Sequence, residues 1–158
     1  MADRPVRPAT HRLLLDVMLG KLAVYLRICG YDSAYAGDRG IEDDDEIVAL
    51  AVEEERTLLT RDVKLAERAD EAILLTQLEV EDQLAELHEA GFDLVAADEP
   101  SNCGRCNGDL IPADPDAETP AYAPEPSEFA CWRCRSCGQL FWKGTHYERM
   151  KETLETID

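Results

Sequence analysis

Two sets of residues in this chain have types and spacings that could do chemistry. The first is a pair of knuckles, Cys103-Gly-Arg-Cys106 and Cys134-Arg-Ser-Cys137, with 27 residues between them. Each knuckle offers two thiolates from one tight turn, and two such turns make the four-sulfur shell of a zinc ion. A closed shell of four thiolates leaves no open position, so zinc here is structural. Cys131 lies three residues before Cys134, so Cys131-x-x-Cys134 is formally a knuckle too. Cys134 with Cys137 is preferred because Gly138 follows and lets backbone amides turn toward the sulfurs. Cys131 and Cys29 are then spare thiols, with Cys29 on an apolar helix and expected in the core.

The second set is acidic. Asp16 ends the apolar run Leu13–Leu15, Asp62 stands two residues beyond Thr60, and Asp43–Asp45 supply a third carboxylate. Open α/β sheets bind ligands beyond the carboxyl ends of their strands, where these aspartates fall. Three carboxylates at one edge repel each other unless a cation neutralises them, and Mg²⁺ or Mn²⁺ is the natural partner. Such an ion on a phosphodiester lowers the pKa of an attacking water, so the implied chemistry is metal-dependent hydrolysis. Aspartate before a helix is also a common N-cap, a role open to Asp16, Asp44 and Asp62 alike.

Three cations are candidates for holding a phosphate. Lys21 and Arg27 share a helix, but six residues place them about 240° apart, so they do not form one clamp. Arg61, beside Asp62, is the better substrate contact; a solvated charge or an ion pair is the alternative for all three. His146 could bind phosphate or replace a zinc ligand, yet four cysteines already complete the shell, and a surface histidine at a helix start is expected. Trp132, Phe141 and Trp142 could stack on bases, although packing over the zinc knuckle is the expectation in so small a core. Arg133, Arg135, Lys143 and Arg149 make this the least acidic end of the chain.

The elements that must position these residues follow from hydrophobic period. His11–Asp16 reads as a buried parallel strand. Leu19, Leu22, Ala23 and Leu26 mark a helix stopped by Gly30. Asp32–Ala36 reads as a strand, Gly37–Gly40 as a loop, and Asp43–Glu46 open a helix carrying Ile47, Leu50 and Ala51 inward. Thr57–Thr60 and Ala72–Leu75 are further strands, with helices over Val63–Ala69 and Glu79–Glu89. This alternation predicts an α/β fold, a parallel sheet flanked by helices. Pro112–Ser127, with five prolines, reads as a loop between the knuckles. Thr145-His-Tyr-Glu148 is a capping box opening a C-terminal helix. The expected organisation is a disordered leader over 1–11, an α/β domain over 12–98 and a zinc ribbon with a C-terminal helix over 99–158.

The 158-residue chain carries a formal net charge of −18, and only four of its sixteen basic residues are lysine. The mean field opposes nonspecific binding of nucleic acid. The dispersed, lysine-poor acidity is also the pattern of a protein kept soluble in high salt, where the Debye length falls to about 3 Å. No apolar run approaches the roughly 20 residues that span a bilayer, and no secretory signal opens the chain. Paired cysteines without a signal read as reduced zinc ligands, which predicts the cytoplasm.

Leu13-Leu-Leu-Asp16, Asp44-Asp-Glu-Ile-Val-Ala-Leu-Ala51 and Leu58-Leu-Thr-Arg-Asp62 resemble the acidic motifs of PIN-domain nucleases. The run Asp16–Arg27, Gly30-Tyr-Asp32, and Cys134-x-x-Cys137-Gly138 with Trp142-Lys-Gly-Thr-His-Tyr147 resemble the Mut-seven C-terminal RNase domain family. The resemblance covers about residues 12 to 150. It implies a PIN-like domain joined to a zinc ribbon and a ribonuclease acting on RNA, with Asp16, Asp44 and Asp62 holding Mg²⁺ or Mn²⁺. Asp44 is chosen among its neighbours because Ala51 lies seven residues on, as in the PIN helix motif. PIN nucleases usually carry a further acid between the first two motifs; no residue here matches it clearly, with Asp38 the one candidate stand-in, and that gap favours the alternative. The alternative is a non-catalytic RNA- or protein-binding module, or an adaptor whose ribbon docks onto an RNA-processing assembly.

Overall fold

Strand β1 (Arg12–Leu15) sits at the centre of the larger sheet because its three leucines suit burial on both faces. Leu13 and Leu15 point to one side and Leu14 to the other, the period of two that a strand imposes. The computed structural model describes residues 7–8, 11–41 and 43–157. Most of the leader expected over residues 1–11 lies outside them.

Beside β1 run β2 (Asp32–Tyr35) on one flank and β3 (Thr57–Thr60) on the other, with β4 (Ala72–Leu74) beyond β3. All pairings are parallel, Leu14 standing opposite Ala34 on one side and Leu58 on the other. Helix α1 (Gly20–Ile28) and helix α4 (Val80–Glu89) cover one face, where Leu22, Leu26, Leu84 and Leu87 meet Leu13, Leu15 and Leu59. Helix α2 (Asp44–Glu53) and helix α3 (Val63–Arg68) cover the other, where Ile47, Ala51 and Leu65 meet Leu14 and Leu58. Gly30, at φ 90°, turns the chain out of α1, and the Tyr31 amide closes back on the Leu26 carbonyl.

The second sheet is small and antiparallel, in the order β5 (Leu110–Pro112), β6 (Cys131–Cys134) and β7 (Leu140–Trp142). Helix α5 (Thr145–Glu155) follows and returns Met150 and Leu154 to the core under α1. The capping box expected at its start does not form. Gly144 occupies the cap with no side-chain bond, and Thr145 is already the first helical residue. Among the described residues no helix is long and apolar enough to cross a membrane.

Candidate functional site

The four knuckle cysteines converge. Their sulfurs all lie within 4.8 Å of one another, with Cys103 to Cys137 at 3.8 Å and Cys106 to Cys134 at 3.5 Å. A tetrahedral zinc with bonds of about 2.3 Å spaces its sulfurs by roughly 3.8 Å, so the donor set fits that ion. Backbone amides are already aimed at the sulfurs: Gly108 donates to Cys106, and both Ser136 and Cys137 donate to Cys134. Burial opposes a thiolate at Cys134, but the Cys137 and Ser136 amides outweigh it and bring that thiol down to about 7. Burial, with the neighbouring sulfurs, pushes Cys106 up to about 12. Four thiols so crowded ionise together only around a cation.

Cys131 stands outside this cluster. It is buried, and its thiol faces the carbonyls of Phe129 and Pro124. Gly138 takes φ 76°, a left-handed conformation that glycine adopts without strain, as the chain leaves the second knuckle. Gly108 serves the first knuckle differently, since a Cβ there would lie 2.7 Å from the Cys134 sulfur. The glycine two residues past Cys106 was the available sequence signal for it.

The first knuckle is docked on the edge strand β2. Asn107, at φ 69°, donates from Nδ2 to the Asp32 carboxylate at 2.6 Å and accepts the Ser33 amide at 2.8 Å. Arg27, only 3% exposed, donates to the Ser33 carbonyl and to the Gly104 carbonyl, both at 2.9 Å, and pairs with Asp38 at 3.6 Å. Burial pulls its pKa down, while Asp38 pulls it back up. Arg27 is therefore an internal tie between sheet and ribbon, with no free face for a substrate, and Asp38 is its counter-ion. Lys21 is exposed, and Cys29 is buried in the core.

At the opposite, carboxyl edge of the sheet, Asp16 and Asp62 share one hydroxyl. Thr60, fully buried at the end of β3, donates from Oγ1 to Asp16 Oδ2 at 2.7 Å and accepts the Asp62 amide at 3.0 Å. The other Asp16 oxygen accepts the Val17 amide at 2.8 Å, while α1 is capped by Leu19 without a side-chain bond. Asp62 does cap α3, accepting the Lys64 and Leu65 amides on Oδ1. The cap of α2 is Asp43, not Asp44. Asp45 is paired with Arg68, which leaves Asp44, half-buried between two exposed neighbours, outside both bonds. No described cation pairs with Asp16, Asp44 or Asp62. Nor do the three carboxylates gather as the sulfurs do: among the described residues the four cysteines form the sole such cluster.

Beside this edge, Arg61 Nε makes no hydrogen bond, alone among the buried side-chain nitrogens and oxygens of the described residues. His146 is exposed at the start of α5. Trp132 is buried against Phe141, ring centroids 5.9 Å apart, so it packs over the zinc knuckle as expected. Thr60 and Asn107 were not singled out from sequence. A hydroxyl at a strand's last residue was a signal for Thr60, whereas the Asn107 contacts span 74 and 75 residues and left none.

The arrangement defines a class: an α/β domain with acidic residues at the carboxyl edge of a parallel sheet, joined to a four-cysteine ribbon of the zinc type. The family described as Mut7-C RNAse domain matches residues 11–154, nearly the whole chain, and the chain belongs to that family. No curated protein and no solved structure matches it.

Proposed function

We propose that the protein is a metal-dependent ribonuclease hydrolysing RNA phosphodiester bonds at the edge built by Asp16, Asp44 and Asp62. The observation that carries this reading is the Asp16–Thr60–Asp62 corner, where one buried hydroxyl holds the Asp16 carboxylate and the Asp62 backbone amide and neither aspartate pairs with a described protein cation. Oxygen donors of this kind suit Mg²⁺ or Mn²⁺. When bound, such an ion would polarise the phosphodiester and lower the pKa of the attacking water. Thr60 fixes the rotamer of Asp16, and its acceptance of the Asp62 amide sets the turn that brings Asp62 to the same edge. Arg61, next to Asp62, is the cation assigned to meet a phosphate oxygen. Asp44 completes the acidic set from the first turn of α2, and Asp38 contributes less because Arg27 offsets its charge.

RNA is accordingly the proposed partner, and the cytoplasm the proposed compartment, since none of the six cysteines is disulfide-bonded. The dispersed acidity supports function in high salt. A second reading, a binding module or adaptor without catalysis, draws on the looser spacing of the carboxylates and on the capping role of Asp62.

Asp62→Asn separates the two. Asparagine keeps an oxygen to accept the Lys64 and Leu65 amides, so the cap survives while the charge is lost. Cleavage of a mixed single-stranded and structured RNA pool, at low and molar KCl with Mn²⁺ or EDTA, is expected in Mn²⁺ alone. It should fall by about a hundredfold or more in the variant with melting unchanged, a barrier increase of roughly 3 kcal/mol. Wild-type protein that holds zinc and fold yet never cleaves would establish the binding module.

A further inference from the structure

A cavity of about 600 Å³ lies where the ribbon meets α1, away from the acidic corner. Val24 and Ile28 of α1 form one wall, and Phe141, Trp142 and Met150 form the other. That volume lies within the roughly 300–1,000 Å³ of sites that hold small organic ligands. The walls are aliphatic and aromatic, but the rim is not. Arg105, exposed and bonded to Gln139 at 3.1 Å, stands at the mouth with His146.

Charge narrows the occupant. The chain holds 34 acidic residues among 158, yet no Asp or Glu lines this cavity. A purely apolar ligand gives no reason for carboxylates to be missing from the rim as well as the walls. An anion with an aromatic body does. The start of α5 also opens here, through Thr145 and His146, and Gly144 caps it without a side-chain bond. Its first-turn amides are therefore donors available to an anion.

We infer that this cavity is a nucleotide-binding subsite: a base between the aliphatic wall of α1 and the aromatic wall of the ribbon, with its phosphate at Arg105 and the start of α5. Base–aromatic stacking tolerates any base, because every base has a π-face. The source of the nucleotide is an unpaired stretch of RNA, since a paired base cannot leave its stack without cost. In naming RNA as that source the inference rests on the ribonuclease reading; the subsite itself is testable without catalysis. α1 begins four residues after Asp16, so one helix connects the acidic corner to the cavity wall.

The test uses zinc-loaded full-length protein carrying Asp16→Asn, so that no probe is consumed. Amide chemical shifts and tryptophan fluorescence are followed on titration with AMP, adenosine, inorganic phosphate, single-stranded oligoadenylate and an RNA duplex, at low and molar KCl. AMP and oligoadenylate should shift the amides of Val24, Gly104 and Trp142 saturably, adenosine more weakly, phosphate and duplex not at all. Arg105→Glu should weaken AMP about three- to fivefold at low salt and leave adenosine unchanged, as for an exposed ion pair. Val24→Trp, which fills the wall, should abolish AMP shifts with zinc content retained.

No saturable shift at these amides in either salt, or unchanged AMP binding by Val24→Trp, would overturn the subsite. So would saturation by an apolar dye such as ANS with no response to AMP, which would mark a surface for an apolar partner. Wild-type protein that cleaves RNA without any shift at the cavity overturns the subsite and leaves the ribonuclease standing. AMP binding in a protein that never cleaves does the reverse.

Discussion

Replacing Arg27 with methionine removes the tie between sheet and ribbon while keeping most of the side-chain volume. The guanidinium loses two bonds of 2.9 Å, to the Ser33 and Gly104 carbonyls, and leaves both acceptors in a buried junction. Hydrogen bonds to a charged group contribute about 1.5–3 kcal/mol each. The pair with Asp38 adds little, because it is 3.6 Å long and Asp38 is 47% exposed. Against this, methionine escapes the desolvation that depresses the Arg27 pKa. The net expected loss is about 3 kcal/mol. In a chain of this size that lowers the melting temperature by roughly 6–12 °C. The assay is thermal unfolding by circular dichroism, with limited proteolysis across residues 98–130 to show whether the ribbon undocks first. Lys21→Met, on the same helix but exposed, is the control and should change nothing. A loss below about 2 °C with an unaltered proteolytic pattern would refute the reasoning, showing that Asn107 alone holds the ribbon.

Two further outcomes follow from the same junction and from the sulfur cluster. Cys134→Ser should lower zinc content and loosen the ribbon, whereas Cys131→Ser should leave zinc content unchanged, as read by metal analysis; zinc loss in the latter alone would reverse the knuckle assignment. Burial disfavours the charged form of Asp32, but the Asn107 amide and Arg56 guanidinium outweigh it and hold its carboxyl below the usual range. Because the folded pKa is depressed, this contribution is present above the unfolded value of about 3.9 and is lost as pH falls through the folded one. Urea denaturation at pH 7 and at pH 3 should therefore show a smaller acid-induced loss in Asp32→Asn than in wild type.

Much of this molecule was legible in local pattern. The leucine run of β1 and the Leu-Leu-Thr of β3 announced buried strands because a strand covered on both faces has no polar positions to show. The two knuckles named their own partners, since each pair of sulfurs comes from one turn and their spacing does not depend on the rest of the fold. The capping box at Thr145 misled, because a motif of four residues describes a helix start only if the chain enters it in the right direction. Here the turn through Trp142 and Gly144 sets that entry, the Gly144 amide bonding to the Trp142 carbonyl.

Other features belong to the tertiary structure alone. From sequence, Arg27 was one cation on a helix; burial against a carbonyl 77 residues away makes it a structural tie. Nothing near Asn107 foretold that it would cap the edge of β2, or that Thr60 would bridge two aspartates 46 positions apart. The cavity between α1 and the ribbon has walls drawn from three distant segments. Periodicity and turn chemistry act over a few residues, so sequence alone marked the strands and helices of the larger sheet and singled out the four cysteines that come together, but not the strands of the smaller sheet. Which side chains face one another across the junction depends on how those elements pack, and only the tertiary structure decided that.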